Sequence, residues 1–315
     1  MRASSGLPLA LTVGDPAGIG PDVVLAGLAA GLAAPVLVIG DRTLLEQRAK
    51  QLGLEFSLAE YEEKSGSCSS LLQVDLSNPV QAGKAEVANA GHVLQQLDLA
   101  HQLASSGRAA GIVTGPVNKA LIEPACPGFR GHTGHFARLC GRARAVMAFV
   151  GPRIRGALVT EHIRLRDVAD AISQEAVLET LTIAAAGIDN LLGGKSAWKV
   201  CGLNPHAGED GLLGDEDRDC IAPAVRQANE RGIDAIGPVS ADSAFVDDAR
   251  CVLAMYHDQL LPAVKRDGFL QTVNVTFGLS YPRTSVGHGT AYELAGSGRA
   301  DCSSLCAAVA LLAGR

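Results

Sequence analysis

Aromatic residues make up only 4% of this 315-residue chain, and just one of them is Trp. Basic residues are also in deficit, with 27 Lys and Arg against 33 Asp and Glu. The net charge of −6 and pI near 5.8 leave no global positive field to draw in a nucleic acid or an anionic membrane. Any anionic ligand must therefore be met by a local cluster. No run reaches the about 18 uninterrupted apolar residues that a spanning helix needs, so no membrane role is expected. The residues before Leu9 hold no apolar h-region, which places the chain in the cytoplasm as an expectation. The eight cysteines include no C-x-x-C pair, and several lie in apolar runs, so they read as reduced core thiols. P-loop, G-x-G-x-x-G and close H-x-x-x-H patterns are missing too.

What the chain does have is 47% hydrophobic residues, 36 Gly and enough length for about two domains. Short Val-, Ile- and Leu-rich runs alternate with segments of helical period, the pattern of an α/β fold around a mostly parallel sheet. Strands are expected at Leu9–Val13, Val36–Ile39, Gly111–Thr114, Ala145–Val150, Ala157–Thr160, Trp198–Leu203, Ala235–Val239, Val252–Tyr256 and Thr272–Phe277. Helices are expected over Asp22–Leu32, Arg42–Leu52, Lys84–Ser105, Gln174–Ile188, Glu216–Glu230 and Asp301–Leu312, and a surface loop over Glu60–Ser70.

Five of the strands run into turns loaded with Gly, Pro and polar residues: Gly14-Asp15-Pro16, Gly115–Lys119, Glu161-His162, Asn204-Pro205-His206 and His257-Asp258. In a parallel sheet such ends converge where α/β proteins bind ligands. His162, His206 and His257 then occupy equivalent topological positions. Any one alone reads best as a loop histidine bonded to a carbonyl, but three together suit a divalent metal with open positions for a substrate oxygen. Gly14–Pro21 reads equally as a nucleotide loop or as a turn feeding a helix. Thr133 in Gly131–His135 reads as an anion-accepting helix start or as an ordinary N-cap. Lys265, Asn274 and Arg283 follow in succession and suit a phosphate or carboxylate, and Gly287–Gly296 offers an aromatic ring, flexible backbone and an acid.

Six segments carry a resemblance: Leu11–Pro21 (LTVGDPAGIGP), Thr114–Lys119 (TGPVNK), Gly131-His132-Thr133, Leu203–Glu209 (LNPHAGE), Met255–Gln259 (MYHDQ) and Arg283–Ala291 (RTSVGHGTA). In this order, over nearly the whole chain, they resemble the 4-hydroxythreonine-4-phosphate dehydrogenase family of the vitamin B6 pathway. The resemblance implies NAD-dependent oxidation of 4-phosphooxy-L-threonine to a 3-oxo acid, which loses carbon dioxide and leaves 3-amino-2-oxopropyl phosphate on the way to pyridoxal 5′-phosphate. It implies one divalent metal (zinc, magnesium or cobalt) on His162, His206 and His257, in a homodimer whose active site lies at the interface. Substrate binding falls to His132, Thr133, Lys265, Asn274 and Arg283, and proton transfer to His132, Asp242 or Lys265. His288 and Glu293 then belong to the cofactor loop, where the acid favours NAD over NADP.

The same likeness implies two α/β domains around a central cleft, similar to isocitrate and isopropylmalate dehydrogenases. Residues 1–125 with 268–315 form the first, with the cofactor loops; 126–267 form the second, with the metal ligands and dimer interface. The chain departs from the family pattern at Gly134, Glu161, Leu260 and Gly287. These departures keep a related activity open, oxidation of D-threonate or D-erythronate 4-phosphate, which lack the amine. A non-catalytic metal-binding protein needs neither Lys265, Asn274 and Arg283 nor the 287–296 loop. A phosphoryl-transfer enzyme needs a phosphate-cradling loop that the sequence lacks.

Overall fold

The computed structural model describes residues 6–62, 68–246 and 250–314. The chain forms two compact units, Met1–Ala143 with Leu279–Arg315, and Arg144–Gly278. The first unit opens with β1 (Leu9–Thr12), α1 (Gly20–Ala30), β2 (Val36–Gly40), α2 (Arg42–Leu52), β3 (Ala59–Glu60) and β4 (Ser70–Gln73). It continues with α3 (Ala90–Ser105), β5 (Ile112–Thr114), α4 (Lys119–Ile122) and α5 (His132–Leu139). The second unit holds β6 (Val146–Val150), β7 (Arg155–Leu158), α6 (Val168–Ala171), α7 (Gln174–Leu192), β8 (Ala197–Cys201), α8 (Ala222–Glu230), β9 (Asp234–Val239), β10 (Cys251–Ala254), α9 (His257–Gly268) and β11 (Val273–Phe277). The chain then returns to the first unit for β12 (Arg283–Ser285) and α10 (Ser303–Ala313).

In the first unit the strand order is β3-β4-β2-β1-β5-β12, parallel throughout. Buried on both faces, β1 and β2 are continuous apolar runs with no period-2 alternation, as central parallel strands should be. Helix α2 shows why its bounds are sharp. Asp41 accepts the Leu44 N–H at 2.8 Å as N-cap, and Gly53 ends the helix in the left-handed region at φ 67°.

The second unit orders its strands β11-β6-β7-β10-β8-β9. Strands β7, β10, β8 and β9 are mutually parallel, whereas β6 pairs antiparallel with both β7 and β11. Five registered pairs, from Val273↔Val150 to Phe277↔Val146, hold β11 to β6. That ladder is why residues 268–278 lie in the second unit and not in the first, where the family likeness implies them. Residues 126–143 move the other way: in α5, His135 Nε2 bonds Asp98 of α3 at 3.1 Å. The only Trp, Trp198, is fully buried in β8 and donates its Nε1–H to Ser196 Oγ at 2.9 Å.

Several local expectations need correction. The turn expected at His257-Asp258 is instead the start of α9, a helix despite Pro262 within it. Its apolar side (Leu260, Leu261 and Val264) completes a core with Met147, Phe149, Leu158 and Val252. The cysteines are all free thiols, but only Cys201 and Cys251 are buried. Burial pushes their thiols up, to about 12 and about 11, which makes them inert. Residues 63–67 of the Glu60–Ser70 loop lie outside the described residues, and Ser70 begins a parallel strand beside β2. No described helix is long and apolar enough to cross a membrane.

Candidate active site

In the second unit, β7, β10 and β8 are neighbours, and His162, His257 and His206 each follow the C-terminal end of one of them. The Thr160 hydroxyl donates to the Met255 carbonyl at 2.7 Å, drawing the ends of β7 and β10 together. The His162 and His257 rings consequently stand 5.4 Å apart, centroid to centroid. His257 Nδ1 lies 2.7 Å from Asp258 Oδ1, so a carboxylate orients the ring and leaves Nε2 for a ligand. His206 lies beyond β8, exposed. Among the described residues, no group of three His, Cys, Asp or Glu is gathered closely enough to hold a metal within one chain.

Asp242 is exposed on the turn after β9. The Ser240 hydroxyl, donated to its Oδ1 at 2.6 Å, and the nearby His206 ring hold its carboxyl below the usual range. Lys265, on α9, rests its ammonium 5.6 Å from the Phe269 ring centroid. Asn274 in β11 is half-buried, and its Oδ1 is buried with no hydrogen-bond partner among the described residues.

The first unit gathers Arg283, His132 and Phe136. Arg283 in β12 is 1% exposed, donates from Nη2 to Thr114 Oγ1, and lies over the Phe136 ring at 5.9 Å. His132 stacks near the same ring, at 6.4 Å and 17°. Its Nε2 is buried with no hydrogen-bond partner among the described residues. Burial first, then the charges of Arg283 and Lys119, hold the His132 pKa well below 6.5, so the ring is neutral at neutral pH. Its neutral burial contributes stability above pH 6.5 that is lost as the pH falls below that value.

Thr133 is not the N-cap. Gly131 takes that position at φ 127°, and no side chain caps α5, so its first-turn N–H groups are left for an anion. Lys119, at the end of the Gly115–Lys119 turn, has no signal in the sequence that ties it to α5. A Cβ on Gly131 would sit 3.1 Å from Lys119 Cε, so the lysine stem lies along the start of α5.

The Gly14–Pro21 loop spends its polar groups on the 288–296 loop. Asp15 Oδ2 accepts the Tyr292 hydroxyl at 2.6 Å, and the Ile19 N–H donates to the Thr290 carbonyl at 2.9 Å. Asp22, 2% exposed, accepts the Gly296 N–H at 2.6 Å and pairs with the equally buried Arg48. Arg48 in turn donates to the carbonyls of Gly18 and Pro16. The reading as a turn feeding a helix is the one that fits. In the braced loop, Glu293 is exposed, and His288 Nε2 is buried with no partner among the described residues while Nδ1 faces the Gly289 carbonyl at 3.0 Å.

Residues 32–312 match the family model described as pyridoxal phosphate biosynthetic protein PdxA. This chain belongs to the PdxA family. A relative from Chromobacterium violaceum named 4-hydroxythreonine-4-phosphate dehydrogenase is 45% identical over 311 residues, covering 96% of this chain and 95% of the relative. The crystal structure of a 4-hydroxythreonine-4-phosphate dehydrogenase from Klebsiella pneumoniae superposes with a TM-score of 0.88 at 30% identity, over 99% of this chain and 98% of that one. A β-decarboxylating dehydrogenase from Thermococcus kodakarensis shares the fold at a TM-score of 0.50 and 14% identity, over 96% of this chain and 81% of its own. Of the departures from the PdxA pattern, Leu260 has a structural reason: its side chain packs where a Cβ on Gly156 of β7 would sit, 2.8 Å away. Gly134 faces open space, and Gly287 donates its N–H to Ser304 Oγ at 2.8 Å.

Proposed function

We propose that this PdxA-family chain oxidises 4-phosphooxy-L-threonine with NAD and releases carbon dioxide and 3-amino-2-oxopropyl phosphate, as a step toward pyridoxal 5′-phosphate. The observation that carries the reading is the approach of His162 to His257 at adjacent strand ends, in a chain 45% identical to a named 4-hydroxythreonine-4-phosphate dehydrogenase. Neighbouring imidazoles are a donor set that fits zinc or cobalt. With His206 they form the metal set, and both copies of a homodimer contribute ligands. Exposed Ile163, Leu165, Leu212, Leu213 and Val246 stand close in sequence to His162, His206 and Asp242, an apolar rim suited to a second copy. A divalent metal in this set supplies Lewis acidity to the substrate's hydroxyl oxygen and, after oxidation, to its carbonyl.

The protein's own groups bind and orient. Arg283 and the first turn of α5 hold the phosphate, with Lys119 adding charge. His132 Nε2 meets a substrate oxygen as a neutral hydrogen-bonding partner. Asn274 Oδ1 accepts from the substrate, and Lys265 moves the proton. NADH formation followed spectrophotometrically with 4-phosphothreonine, D-threonate 4-phosphate and D-erythronate 4-phosphate, with zinc, magnesium or cobalt added, tests the reading. Highest kcat/KM on 4-phosphothreonine is expected; a higher value on either sugar-acid phosphate overturns the substrate assignment.

The exposed Glu293 faces the ribose hydroxyls in this reading and repels a 2′-phosphate. NAD is therefore expected to outperform NADP in kcat/KM, and Glu293→Ser to narrow the gap. Equal efficiency with the two cofactors in the unmutated enzyme refutes the loop assignment. Lys119→Met is expected to raise KM for the phosphorylated substrate while leaving KM for NAD unchanged.

A further inference from the structure

The backbone around His206 is left-handed over five consecutive residues. His206, Ala207, Gly208, Glu209 and Asp210 have φ values of 53, 53, 79, 42 and 56°, and four of the five are not glycine. Each such L-residue is strained against the right-handed alternative. A run of this kind survives only where its surroundings over-determine it.

The determinants converge on Asp217, which is 2% exposed. Its Oδ1 accepts the Leu203 N–H at 2.8 Å; its Oδ2 accepts the Asn204 N–H at 3.1 Å and the Asn204 side-chain amide at 3.0 Å. Glu216 takes the same amide at 2.9 Å. The two residues that lead into the turn are thus fixed by carboxylates from beyond it. Space is closed as well. A Cβ on Gly202 would lie 2.5 Å from Asp217 Oδ1 and 2.7 Å from Ala207 Cα. Asp217 also opens a π-helical turn, Asp217–Ile221, a local distortion found mostly at functional sites. The end of β8 is tied to β10 by Gln259, which donates to the Gly202 carbonyl at 2.8 Å and accepts the Met255 N–H at 2.7 Å.

We propose that Asp217 is a positioning residue: its buried carboxylate clamps Leu203 and Asn204 and so holds His206, in its left-handed turn, at the place where it ligates the metal. The inference rests on His206 being a ligand, as proposed above. Asp217 acts on His206 through Leu203 and Asn204, by two backbone N–H groups and the Asn204 amide.

The test is a calorimetric titration of metal-free enzyme with Zn²⁺, alongside thermal melting and the visible spectrum of the Co²⁺-loaded protein. His206→Ala probes the ligand reading itself, and zinc binding at wild-type strength in that variant overturns the reading. Given that loss, Asp217→Asn is expected to weaken zinc affinity about ten- to a hundredfold and to shift the cobalt bands, the range usual for groups that orient a ligand. Asp217→Glu, which keeps the charge, is expected to recover part of the affinity. Should Asp217→Asn fail to fold, Asn204→Ser removes the clamped amide and is expected to weaken zinc binding by a smaller factor. A lower melting temperature with unchanged zinc affinity and unchanged cobalt bands in the folded variants shows a merely structural role and overturns the proposal.

Discussion

His206→Ala is expected to remove nearly all NADH formation, and chelation of the unmutated enzyme to do the same. Lewis-acid stabilisation of a developing oxyanion is worth several kcal/mol, and at about 1.4 kcal/mol per decade that is roughly a thousandfold or more in kcat. Folding should be spared. The side chain is exposed, and alanine inherits the same positive φ already borne by Ala207. Circular dichroism and melting temperature check that separation. Turnover at wild-type rate in chelated enzyme, with the metal shown by elemental analysis to be gone, defeats the metal assignment.

Arg283→Met is expected to raise KM for phosphorylated substrate by about ten- to a hundredfold, the equivalent of losing a charge-assisted contact of roughly 1.5–3 kcal/mol. KM for NAD should change little. Because Arg283 is 1% exposed and bonded to Thr114, the variant also opens a gap beside Phe136, and its melting temperature should fall. Arg283→Lys separates the two effects. It keeps a charge but loses the planar fork that reaches Thr114 and spreads over the ring, so KM should recover only in part. An unchanged substrate KM in folded Arg283→Met places the residue outside the site and leaves it as a core ion held by Thr114 and Phe136.

Where the sequence was legible, one physical rule governed the segment. Continuous apolar runs marked the buried parallel strands, and the cap Asp41 with the stop Gly53 bounded α2 to the residue. The equivalence of His162, His206 and His257 was also readable, because parallel strands put successive carboxyl ends at one edge. Helix α9 was hidden because Pro262 argues against a helix and because its start, His257-Asp258, reads as a loop of polar residues. Strand β12 was hidden because Arg-Thr-Ser has no apolar signal; its burial depends on Thr114 and Phe136, more than 140 residues earlier in the chain. The exchange of 126–143 and 268–278 between units turned on pairings distant in sequence that no local period reports. Asp217 had no signal of its own. It sits among Asp215, Glu216 and Asp219, where one carboxylate turned inward looks like any member of a solvated acidic run.

Trp198 gives the molecule a built-in reporter. As the only indole it can be excited apart from the four tyrosines, and it is fully buried in β8 of the second unit. Its emission during denaturation follows that unit alone, whereas backbone circular dichroism follows both. Coincident curves signify one cooperative transition and displaced curves two. The chain thus carries, without any label, the means to tell whether the half that bears the three histidines melts with the half that bears Arg283 or ahead of it.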